Sequence, residues 1–258
     1  MRKGLIIAYH RVNSSGKDPM AVSVENFRSQ MRYFYDKGYT SITLEDYSIR
    51  MGQSDLPRKS LIVTFDDGYR DNYLFAFPIL KQYGFSATIF LTVNYIGTDN
   101  TFSMDKNKWD KVADEDLPLT WEQVFEMKKY GVEFGSHTCA HWHLDELPEE
   151  ELTKELVDSK RRLEKMLQSK VTSFCYPSGR FNQKVKEAVY KAGYLAAVVT
   201  PSHRQVGEDI YSLKRIGIYS NDTRWRFRLK TSPYFAAFRD SGLLYRLKNY
   251  IPRAILQP

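Results

Sequence analysis

The chain has 258 residues, 42% hydrophobic and 27% charged, a balance that excludes a disordered or low-complexity protein and allows one large domain with its own core. Its 38 basic and 31 acidic residues leave a net charge of +7, and the segment from Thr223 to Pro258, with eight basic residues and one acidic, carries that entire excess. Two cysteines, Cys139 and Cys175, are too few for a secreted disulfide framework, and no stretch reaches the roughly 18 apolar residues of a membrane span.

Met1-Arg2-Lys3 is basic, but the apolar run after it, Leu5 to Ala8, is shorter than the core of a signal peptide. Gly4 to Tyr9 therefore reads as a first buried strand, and the chain is expected in a reducing cytoplasm. A helix follows, with Phe27, Met31 and Phe34 on one face. Ser60 to Phe65 is a second apolar strand, succeeded by a helical stretch ending near Tyr83-Gly84 and by a strand over Ala87 to Val93. The longest irregular stretch, Asn94 to Pro118, holds Met104, Trp109 and the acidic run Asp114-Glu115-Asp116. Because it follows a strand, it belongs on the site-bearing face of a parallel α/β fold, either bordering a substrate groove or as a surface loop. Further strands are expected at Val132 to Gly135, Ser173 to Tyr176, Ala196 to Val199 and Leu213 to Ile216, with an amphipathic helix over Glu149 to Gln168 carrying Leu152, Leu156, Leu163 and Leu167. About seven strands alternating with helices predict an α/β fold with a parallel sheet, open or closed into a barrel.

Two constellations carry chemistry. In Thr64-Phe-Asp-Asp-Gly-Tyr69 a pair of carboxylates sits where a buried strand ends, and adjacent carboxylates repel unless a cation or proton intervenes. One Asp would suffice as a helix N-cap; two followed by Gly point to a site. In Gly135-Ser-His-Thr-Cys-Ala-His141 two histidines stand four residues apart, a spacing that on a helix would turn both toward one divalent metal. Three of the five histidines in the chain, His137, His141 and His143, fall within seven residues; His143 is expected to face away from the other two. Cys139 and Cys175 read as small buried residues rather than as ligands or nucleophiles.

Together, Thr64-Phe-Asp-Asp-Gly68 and His137-Thr-x-x-His141 resemble the first two motifs of the NodB-homology polysaccharide deacetylases, carbohydrate esterase family 4. The resemblance runs from Tyr9-His10-Arg11-Val12 to about Ile218. It implies a distorted (β/α) barrel and a divalent cation, most often zinc, held by Asp67, His137 and His141, with Asp66 as general base. It also implies an oxyanion donor from the backbone N–H of Tyr176, in Phe174-Cys-Tyr-Pro-Ser-Gly179. Two departures stand out. The arginine that many members carry just ahead of the third-motif tyrosine is missing, which leaves Arg215 as the available substitute or as a surface charge. No late histidine supplies the general acid, so the proton must come from elsewhere; the candidates are His10 and His203, and His10 is preferred because strand ends face a barrel site. An early Tyr-His pair of this kind resembles the deacetylases of poly-β-1,6-linked N-acetylglucosamine. The substrate so implied is an N-acetylated polysaccharide; a lipid-linked glycan is the alternative if the basic C-terminal segment meets a membrane. A binding protein that has lost catalysis and an amidohydrolase of non-sugar substrates are the competing readings.

Residues 1–222 are thus expected to form the barrel and residues 223–258 a separate basic amphipathic segment. Arg224-Trp-Arg-Phe-Arg-Leu-Lys230 alternates cations with apolar residues, which fits a helix packed on the barrel or one lying on the inner, anionic face of a membrane. No nucleic-acid motif accompanies it.

Overall fold

Leu5–Tyr9 is apolar on both of its faces, so it can be stable only where both are covered, and it forms the first strand (β1) of a parallel sheet wrapped by helices. The structure, a computed structural model, describes residues 4–13, 18–53, 55–105, 112–199, 209–232 and 235. A short parallel pair, β2 (Arg11–Asn13) and β3 (Ala21–Ser23), leads into α1 (Val24–Asp36), capped by Ser23 and burying Phe27, Met31 and Phe34 as its periodicity requires. Then come β4 (Thr40–Ser41), α2 (Leu44–Gln53), β5 (Ser60–Phe65), a π-helical turn at Asn72–Ala76, α3 (Phe77–Tyr83) and β6 (Thr88–Leu91). The second half runs α4 (Trp121–Lys129), β7 (Glu133–Ser136), α5 (Glu149–Leu167), β8 (Ser173–Cys175), α6 (Gln183–Lys191) and β9 (Ala196–Val199). The chain closes on β10 (Leu213–Lys214), β11 (Ile216–Gly217) and α7 (Arg224–Lys230).

The sheet order β10-β9-β8-β7-β6-β5-β1-β11 explains how the barrel nearly closes. The single strand expected at Leu213 to Ile216 is split: β10 pairs with β9 at one edge and β11 with β1 at the other, with Arg215 alone between them. The main path therefore holds eight strands where the apolar runs suggest seven, and β4 adds a short partner to β5. Every pairing is parallel, so all the carboxyl ends of the strands open on one face. Gly135 is required by this packing, because a Cβ there would meet Phe90 at 2.6 Å and the Ser173 carbonyl at 2.8 Å.

Apolar side chains fill the space between sheet and helices. Tyr9, Phe27 and Phe65 meet with ring centroids 5.1 to 5.9 Å apart, and burying each contributes about 1.5–3 kcal/mol. On α5, Leu152, Leu156, Leu163 and Leu167 face inward. At the start of the basic segment, Phe227 of α7 inserts against Phe34 and Tyr33, at 5.4 and 5.9 Å, while Trp225 and Leu229 are exposed. The rest of the segment expected to meet a membrane, apart from Thr231, Ser232 and Phe235, lies outside the described residues, as do His203 and Trp109. Among the described residues no helix is long and apolar enough to cross a membrane.

Candidate active site

The singled-out residues lie at strand ends on one face. His10 follows β1, Asp66 and Asp67 follow β5, His137 follows β7, Tyr176 follows β8, and Arg215 bridges β10 and β11. Backbone bonds fix these exits: Asp66 N–H donates to Tyr9 O at 3.0 Å, and His137 N–H donates to Leu91 O at 2.9 Å. Asp67 takes a left-handed backbone (φ 71°), and Gly68 (φ 88°) completes the turn where a side chain would strike Leu91.

Asp67 Oδ1 lies 3.6 Å from Nε2 of both His137 and His141. It is buried and has no hydrogen-bond partner among the described residues. The His137 tautomer is set from behind, because Nδ1 lies 2.8 Å from the Cys175 carbonyl; donating there leaves the lone pair of Nε2 turned toward Asp67. Burial pushes the His137 pKa down to about 3 and also lowers that of His141, so both imidazoles stay neutral. Burial pushes the Asp67 carboxyl up to about 7, with the charges of Asp66 and Asp105 adding to the rise and His10 opposing it. A carboxylate that costs so much to hold charged, facing the proton-free nitrogen of His137 and the uncharged ring of His141, fits a divalent cation; two ligands about 2.1 Å from one tetrahedral ion stand roughly 3.4 Å apart.

The two histidines are not brought together by a helical turn. Residues 137–141 are non-helical, and Thr138 (φ 67°) and His141 (φ 61°) are in the left-handed region, which swings both rings to the same side, centroids 4.8 Å apart. His143 points elsewhere, into a rim cluster with Arg180 at 3.0 Å and Ser178 at 3.5 Å.

Asp66 stands beside this trio in a different electrostatic setting. Arg215, fully buried, donates a fork of two 2.6 Å bonds to its two oxygens, and further bonds to Thr64 Oγ1 (3.0 Å) and Val199 O (3.2 Å) hold the guanidinium. Burial alone would raise the Asp66 pKa, but the charge and hydrogen bonds of Arg215 outweigh it and keep the carboxyl well below the usual range. His10 Nε2 is 3.7 Å from Asp66 Oδ2. The backbone of His10 is held by Asn72, whose Nδ2 donates to His10 O at 3.0 Å. Cys175, read from sequence as a small buried residue, lies directly under the base, with its thiol 3.5 Å from Asp66 Oδ1 and 3.2 Å from Arg215. The Tyr176 backbone N–H meets Val198 O at a long 3.3 Å, and its hydroxyl donates to Tyr211 O at 2.9 Å, so only a shared or broken ladder bond frees that amide for a substrate oxygen.

The long loop is fastened to the same face. Arg11, next to His10, pairs with Asp71 at 3.1 Å and with Asp116, and Arg70, just past Gly68, pairs with Asp114 and donates to Pro118 O at 3.1 Å. Tyr69 donates to Asp105 at 2.5 Å. These latches were not read from the sequence, although each arginine flanks a motif residue. Also missed was Glu155 of α5, which accepts the backbone N–H groups of Cys139 and Ala140.

Comparison with known proteins finds relatives in sequence and in fold. The sequence profile of the family described as polysaccharide deacetylase matches residues 53–197. The Bacillus subtilis (strain 168) protein YxkH, named for the same family, is 33% identical over 215 residues, covering 83% of this chain and 70% of its own length. The poly-β-1,6-N-acetyl-D-glucosamine N-deacetylase of Staphylococcus aureus (strain MRSA252) is 26% identical over 212 residues, 73% of this chain and 69% of its own. Among solved structures, the Streptococcus pyogenes deacetylase PplD in complex with acetate superposes with a TM-score of 0.75 at 27% identity, covering 89% of this chain and 98% of that one.

Proposed function

The chain belongs to the polysaccharide deacetylase family, and on that footing we propose that it is a cation-dependent hydrolase removing N-acetyl groups from N-acetylhexosamine units of a polysaccharide or lipid-linked glycan. The observation that carries the reading is the unlike treatment of two adjacent carboxylates: Asp66 is held ionised by Arg215, while the partnerless oxygen of Asp67 faces two neutral imidazoles. Asp67, His137 and His141 would hold the cation, most simply zinc, whose contribution when bound is to polarise the amide carbonyl and make water a stronger acid. Asp66 then takes the proton from water as it attacks, a role that needs a carboxylate already charged and already aimed. Arg215 supplies both conditions in place of the arginine missing from the third motif. His10, at the edge of Asp66, gives a proton to the departing amine. The amide N–H of Tyr176 is the donor suggested for the oxyanion, and its weak 3.3 Å bond to Val198 is the one it would have to loosen. A positioned, ionised base is unnecessary in a protein that only binds glycan, which favours catalysis over the binding reading.

The early Tyr9-His10 pair and the relative in Staphylococcus aureus favour β-1,6-linked poly-N-acetylglucosamine as substrate class. Acetate release from that polymer, from chitooligosaccharides and from small aliphatic acetamides tests the proposal. The glycans should react and the acetamides should not; equal rates on all three would favour the amidohydrolase reading. We further propose that the cations of residues 223–258, a segment that starts with Phe227 of α7 packed on the barrel, meet an anionic membrane surface at its cytoplasmic side. Flotation of the full chain with anionic and neutral vesicles tests this, and equal recovery from both would contradict it.

A further inference from the structure

The loop that carries His137 and His141 is bracketed by hydrogen bonds on both sides. Its carbonyls are taken from one side, with Val93 N–H donating to Thr138 O at 3.1 Å and Asn94 N–H to Cys139 O at 2.9 Å. From the other side a single side chain takes its amides: Glu155 Oε2 accepts Cys139 N–H at 2.8 Å and Ala140 N–H at 3.1 Å. Cys139 Sγ also donates to the main-chain carbonyl of Glu155 at 3.9 Å, and two turns of local bonding, Ser136 Oγ to Thr138 N–H and Thr138 Oγ1 to His141 N–H, complete the loop. The helix beneath is itself fixed to the strand below the loop by a buried bond between Ser136 and Ser159, at 2.9 Å. Such a clamp is needed because Thr138 holds a left-handed backbone that β-branched residues avoid, three residues before the left-handed His141; released, the loop would relax toward ordinary φ values at Thr138 and carry the His141 ring off the shared site.

We infer that Glu155 is a positioning residue for the cation site, setting the separation of His137 and His141 through the amides of Cys139 and Ala140. This rests on the proposed cation role of those histidines. Glu155 belongs to none of the sequence motifs, and its side chain meets the loop at the backbone amides of Cys139 and Ala140 rather than at the histidine rings. Its acceptor oxygen is what matters: glutamine preserves one, leucine does not. Outer partners that orient ligands in this way typically change metal affinity about 10–100-fold when lost.

The test is a zinc-affinity measurement on full-length apoprotein by competition with a chromophoric chelator, with the visible spectrum of the cobalt form as a second readout. Glu155→Leu should bind zinc about 10–100-fold more weakly and show an altered cobalt spectrum, while Glu155→Gln should stay within about 3-fold of wild type. Equal affinity of Glu155→Leu and wild type would overturn the inference, as would a glutamine variant as weak as leucine. A wild-type chain that binds no cation would overturn the cation reading along with it, whereas an unaffected leucine variant would overturn the clamp alone. Amide hydrogen exchange in the unvaried apoprotein serves where the leucine variant does not fold: slow exchange at Cys139 and Ala140 is expected, and exchange at the rate of an open loop would count against the clamp.

Discussion

Replacing Arg215 by methionine removes one partner of a pair in which both side chains are almost wholly buried, at 0% and 1% exposure. The variant loses two 2.6 Å bonds to Asp66 and strands its carboxylate in a buried site, a change that costs about 3–5 kcal/mol where buried pairs have been broken one side at a time. The chemistry should suffer separately. Without the fork, burial favours the protonated carboxyl, which can no longer accept a proton, so kcat should fall by about 10²–10⁴ with KM within a few-fold and bound zinc unchanged. A double-mutant cycle with Asp66→Asn separates a pair from two independent sites: urea unfolding of the four apoproteins should give a coupling of at least about 2 kcal/mol, since the second change leaves no stranded charge behind. Arg215→Lys keeps the charge but not the fork, and should fall between. A coupling below about 0.5 kcal/mol, or a folded Arg215→Met chain with kcat within about 3-fold of wild type, would show that the fork does not serve the base.

Other consequences follow from the same geometry. His10→Ala should lower kcat about 10²–10⁴ on glycans and far less on an aryl acetate ester, whose phenolate leaves without a proton; equal losses on both would remove His10 as the acid. Burial pushes the Cys139 thiol up to about 11 and that of Cys175 well above its ordinary value, so at pH 8 both should react with a disulfide reagent at least about 100-fold more slowly in the native chain than in urea, and one fast native thiol would contradict that environment.

Much of this architecture is legible in the residues. Apolar runs such as Leu5–Tyr9 and Leu61–Val63 announce strands buried on both faces, and the helix leucines announce α5. What escapes is set by contacts distant in sequence. Nothing local says that Leu213 to Gly217 must break at Arg215 so that its halves pair with opposite edges of the barrel; that follows only from closure. Period-two alternation is the signal that was there, since with Leu213 facing the core Arg215 shares its face, and a charge so placed must find an opposite charge inside. The spacing of His137 and His141 suggested the right neighbours for the wrong reason, because the rings converge through left-handed residues rather than a helical turn. Glu155 was invisible, since it meets the loop through backbone amides that have no sequence signature.

Cation-dependent catalysis is decided by acetate release measured while apoprotein is titrated with zinc on poly-β-1,6-N-acetylglucosamine. Release should rise in step with bound cation and level off at about one equivalent, and Asp66→Asn should bind the same equivalent while releasing almost nothing. Full release from cation-free protein, or from the Asp66→Asn variant, would contradict it.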